Sequence, residues 1–154
     1  MHLSLLDRLT GNEDSRASDL DPDSLQYLRL LKESLCRDMS ALLNTRRASE
    51  DFDPSFEQAT NSLLTFGVVD FTSFNLTSGP DQERVRCSVE RAIRQFEPRL
   101  TSVSVSIEEP TTVNPALHFN IDAALKIGAG REPVSFAAVL SRASRRIAVS
   151  GAER

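Results

Sequence analysis

Apolar residues recur at three- and four-residue steps through the first third of the chain: Leu25, Leu28, Leu31, Leu35, Met39, Leu42 and Leu43. That period predicts an amphipathic helix to about residue 43, with Asp21-Pro22 supplying the cap and the first helical position. It ends in Asn44-Thr45-Arg46-Arg47, where cations suit the negative end of the helix dipole. Asp53-Pro54 repeats the start signal. Phe56, Ala59, Leu63 and Phe66 predict a shorter second helix closed by Gly67. Val68, Val69, Asp70 and Phe71 open an apolar connector that runs to residue 76. Ser78-Gly79-Pro80-Asp81 starts a third helix, with Val85, Val89, Ala92, Ile93 and Phe96 on its buried face. Arg84, Glu90, Arg91 and Arg94 fall mostly on its wet face.

The period then changes from about 3.6 to two at Phe96-Glu97-Pro98-Arg99-Leu100. Pro98 stops the helix and pushes Glu97 towards an extended conformation, so Glu97 and Arg99 project together. Val103, Val105 and Ile107 alternate with serines; Leu117, Phe119, Ile121, Ala123 and Leu125 alternate with polar residues; Val134, Phe136 and Ala138 make a third, shorter strand. Helices followed by strands predict an α+β domain, with N-terminal helices on one face of a small, mainly antiparallel sheet of three or four strands. Carried back without interruption, the alternation puts Leu100 on the polar face unless a bulge intervenes near residue 100. Both edges of so small a sheet are expected to be open unless covered.

Composition changes this picture little. With 154 residues, 40% apolar and 26% charged, the chain is one ordinary domain. We divide it into an N-terminal motif and acidic linker (1–20), the α+β domain (21–140) and a basic C-terminal tail (141–154). A net charge of −4 argues against a general nucleic-acid binder. No apolar run is long enough to span a membrane and no secretory signal is visible, which favours a cytoplasmic protein. Near the start, Leu5, Leu6 and Leu9 share one face of a two-turn helix, which needs its own core or a partner to lie on. Arginine outnumbers lysine sixteen to two.

Candidate chemistry is sparse. Cys36 and Cys87 sit within helical patterns and form no metal motif with His2 and His118. There is no Gly-x-Ser-x-Gly, no phosphate loop, and nothing that supports a cofactor. Glu97 is the best acid candidate for a glycosidase-like pair, but Arg99 beside it would lower its pKa, the wrong sign for a general acid. The charged corner therefore reads as a structural clamp or a contact surface. Arg46 and Arg47 read as helix-end cations or contact residues.

These motifs resemble those of the TssE family of type VI secretion baseplate subunits, among the lysozyme-like wedge proteins of contractile phage tails. Ser4 to Leu9 looks like the family's N-terminal motif, and Asp38 to Arg47 is similar to its helix-ending signature. Phe66-Gly67-Val68-Val69-Asp70-Phe71 looks like its connector, with Val69 in place of the usual proline and Phe66 in place of tyrosine. Phe96 to Leu100, followed by an alternating strand, is the strongest match. The resemblance implies a non-catalytic structural protein beside TssF, TssG and TssK that helps start the TssB–TssC sheath, by strand addition at an open edge. It associates Glu97, Pro98 and Arg99 with wedge contacts, and the residues from Ser141 onward lie outside it. The alternative is a peptidoglycan hydrolase using Glu97.

Overall fold

A computed structural model describes residues 24–47, 55–108, 116–128, 130–141 and 143–151. Its first described element, α1 (Leu25–Asn44), is capped by Ser24, whose hydroxyl accepts from the Tyr27 N–H. The expected Asp21-Pro22 start lies outside the described residues. Leu31, Leu35, Met39, Leu42 and Leu43 are buried as the period requires, whereas Leu25 is 85% exposed. Each fully buried side chain of this stripe stabilises the fold by about 1.5–3 kcal/mol. α3 (Gly79–Phe96) begins with Pro80 in its first turn and buries Val85, Val89, Ala92 and Ile93.

The second helix differs from expectation. Instead of one amphipathic helix there is a single turn, α2 (Glu57–Thr60), then a 3-10 turn, Leu63–Thr65. Phe56 and Leu63, expected on a buried face, are 62% and 85% exposed. The chain is interrupted because the side chains of Ser62 and Thr65 bond nearby backbone carbonyls, a local alternative to continued helix. Gly67 then takes φ +104°, and a Cβ there would lie 2.3 Å from the Thr45 carbonyl oxygen. This lets Val68 pair with the residues after α1: its N–H donates to Thr45 O at 2.9 Å and its carbonyl accepts from Arg47 N at 3.0 Å.

Four strands, β1 (Leu100–Glu108), β2 (Leu117–Ile127), β3 (Gly130–Leu140) and β4 (Ile147–Gly151), form one antiparallel sheet in sequence order. This is the α+β architecture read from the sequence, with the helices against the apolar face. β3 is not short: all eleven of its residues pair with β2. Pro133 is tolerated because β4 runs alongside only Phe136–Leu140, leaving no second ladder at Pro133. Part of the stretch expected as a basic tail is strand β4, whose Ile147 is buried. Alternation over five residues after an arginine-rich turn is too brief to register as a strand.

The bulge required near residue 100 exists. Thr101 pairs with Ala124 and Ser104 with Asp122, so β1 carries one extra residue there. Ser102 absorbs it at φ 52°. The parity shift turns Leu100 and Val103 both inward, at 4% and 2% exposure.

Candidate functional site

The corner between α3 and β1 is an internal clamp. Glu97 is 5% exposed. Arg99 Nε donates to Glu97 Oε1 at 2.7 Å and Nη2 to Oε2 at 2.6 Å, a bidentate pair. The same Nη2 reaches back to Asp38 Oδ2 on α1, and Nη1 lies 3.5 Å from the buried Ser34 hydroxyl. Burial alone would lower the Arg99 pKa; the bonds and charges of Glu97 and Asp38 reverse this and raise it. The backbone tightens the same turn: Leu100 N–H donates to Glu97 O at 3.1 Å and Lys126 N–H to Arg99 O at 3.0 Å. Pro98 is exposed, with its carbonyl accepting from Lys126 Nζ at 2.9 Å.

Arg46 and Arg47 diverge. Arg46 stacks 4.0 Å above the Phe71 ring, donates to Arg145 O at 3.0 Å, and lies 3.8 Å from Asp70. Burial lowers its pKa, partly offset by Asp70. Arg145, at φ 54°, donates in turn to the carbonyls of Phe71 and Thr72 at 2.9 and 2.7 Å. These bonds fasten the start of β4 to the connector. Arg47 lies beside a cavity, and its Nε is buried without a hydrogen-bond partner. Leu5, Leu6 and Leu9 lie outside the described residues.

The two sheet edges are unequal, which sequence reasoning missed. Along β1, Arg94 Nε and Nη2 donate to Val103 O at 3.1 and 2.6 Å. Arg86 Nη1 donates to Val105 O at 3.0 Å, and Glu90 Oε2 accepts from Val105 N at 3.3 Å. Glu90 is held between both guanidinia, 2.7 Å from Arg86 and 2.8 Å from Arg94. Side chains of α3 thus occupy backbone groups that an added strand would need. The signal was the 86, 90, 94 spacing, which puts one ladder of charges on one helical face; the Arg94 side chain is 59% exposed, as expected of the wet face, whereas that of Glu90 is only 17% exposed. On β4, Asn44 covers only Ile147, accepting from its N–H at 3.0 Å and donating to its carbonyl at 2.7 Å. Val149 and Gly151 share the parity of Ile147, and no described residue covers their outer backbone groups.

A helix-capped sheet with unequally covered edges and a charged corner turned inward is a scaffold geometry. Residues 29–129 match the family model described as baseplate wedge protein gp25. The chain belongs to the gp25 baseplate wedge family. Membership implies a structural role and contacts with other baseplate components. The matched span includes Arg46, Arg47 and the whole Glu97-Pro98-Arg99 corner, and stops before β3 and β4. No curated protein matches the chain closely enough to count as a relative. Among the described residues no helix is long and apolar enough to cross a membrane.

Proposed function

We propose that this gp25-family chain is the TssE-type wedge subunit of a type VI secretion baseplate, acting on the cytoplasmic side of the inner membrane. It works without catalysis, beside TssF, TssG and TssK, and helps start the TssB–TssC sheath by accepting a sheath strand along the outer edge of β4. The observation that carries this reading is the inequality of the edges: among the described residues, β1 is covered at Val103 and Val105 by Arg86, Glu90 and Arg94, whereas β4 is covered only at Ile147. The wedge domain we draw runs through β4 rather than ending at residue 140. Within it Glu97 and Arg99 hold the corner, Pro98 is its surface member, Arg46 supports the β4 turn, and Leu5, Leu6 and Leu9 dock on a neighbour. A hydrolase would need a solvent-facing carboxyl with an oxygen to spare, whereas Glu97 is buried and both its oxygens accept from Arg99.

The test removes one outward N–H. Val149→Pro, at an edge position where proline is compatible with a strand, should leave the circular dichroism spectrum and co-purification of TssF and TssG intact. Fluorescent TssB should then fail to form sheaths. Should Val149→Pro disturb folding, Gly151→Pro makes the same deletion further along. Normal sheaths on a folded variant would refute strand addition at β4.

A further inference from the structure

Buried polar atoms normally have partners, so the unpartnered Nε of Arg47 calls for an explanation. Arg47 lines a cavity of about 280 Å³ between the connector and α3. Arg84 and Arg91, seven residues apart and so on one helical face, line it too. Among the described residues no aspartate or glutamate does. The neutral polar groups around it are already engaged: Gln95 Nε2 donates to Thr60 O at 2.6 Å, and Ser88 Oγ accepts from Val69 N at 3.0 Å. Arg84 lies 5.5 Å from the Phe74 ring centroid and 4.0 Å from Asp81, and Arg91 has no ion pair among the described residues. Three arginines therefore line one cavity with no carboxylate residue among the described residues that line it, in a chain whose net charge is −4. The remaining wall is apolar, formed by Val69, Phe74 and Ala92.

We infer that this cavity receives an aspartate or glutamate side chain, with an apolar neighbour, from another baseplate protein. Guanidinium groups match a carboxylate bidentately, and Arg47 Nε supplies a donor already stripped of water. The apolar wall selects a peptide over a free inorganic anion, which would leave that wall unused. This inference rests on membership of the wedge family and not on the type VI reading.

Cys87 also lines the cavity and is exposed, so it can carry a small diazirine in a Cys36→Ser background. The labelled chain is assembled with its co-expressed baseplate proteins, irradiated, and the cross-linked peptide sequenced. The expected capture is a segment with an acidic residue beside an apolar one. Its yield should fall at least tenfold in Arg84→Glu/Arg91→Glu, both exposed positions that leave folding intact, and return when the captured acid is changed to lysine. Co-purification is scored separately, so loss of assembly and an empty cavity give different results. Capture of a segment without an acid, a yield indifferent to the charge reversal, or no cross-link in an assembled baseplate would each overturn the inference. So would a rise in Tm with inorganic phosphate that Arg91→Glu abolishes while no acidic segment is captured; that result assigns the cavity to a free anion.

Discussion

At the scale of single residues, charge is concentrated in a few short-range constellations. The Arg99 side chain is 12% exposed and that of Glu97 7%, so removing one strands the other in a poor dielectric. Arg99→Ala should lower unfolding free energy by about 3–5 kcal/mol. Glu97→Gln, which keeps an acceptor, should cost only about 1–3 kcal/mol, both read from urea unfolding curves. Equal small losses would mean the pair is dispensable to the fold. The corner was legible in the sequence as a charged pair; its third member, Asp38, was not, because a partner 61 residues away leaves no periodic trace. A second constellation is testable by pH. Hydrogen bonds from Arg86, then Cys87, pull the Glu83 carboxyl down to about 2. A depressed carboxylate contributes stability that is present above its unfolded pKa of about 4.3 and lost as pH falls through the folded value. NMR titration should place the Glu83 midpoint near 2, and Arg86→Ala should return it towards 4.5.

At the scale of elements, periodicity predicted what packing alone decides and missed what local hydrogen bonds decide. α1, α3 and the alternation of β1 and β2 followed from apolar spacing. The interrupted second helix did not, because Ser62 and Thr65 divert backbone carbonyls within it. The bulge was foreseeable as a parity conflict at Leu100, though the residue that would absorb it was not. Ser102 occupies left-handed space, which costs a side-chain-bearing residue about 1–2 kcal/mol. Ser102→Gly should therefore stabilise the protein by about 1 kcal/mol, and Ser102→Val should destabilise it, as measured by chemical denaturation. A loss on introducing glycine would show that the serine side chain contributes more than its backbone strain costs.

At the scale of the whole molecule, β4 is joined to the rest by its ladder with β3, by Asn44 at Ile147, and by two arginines at its entry turn, Arg46 bonding Arg145 and Arg145 bonding the Phe71 and Thr72 carbonyls. Asn44→Ala should cost about 1–2 kcal/mol and speed amide exchange in β4 by roughly tenfold or more, while β2 amides stay protected. Uniform acceleration across both strands would mean that β4 opens only with global unfolding. Apart from the ladder with β3, these ties were invisible in sequence, since they join segments 73 to 103 residues apart. The stoppered edge at β1 has a further consequence. A sheet that can be extended from one side cannot be a link in a chain of sheets. Two copies meeting through β4 would use up both accessible edges and halt, and one copy engaged by a foreign strand would have none left to offer. Self-association by strand pairing along β4 is thus limited to pairs by geometry, without any need for weak affinity, and that route should reach dimers and stop short of fibres.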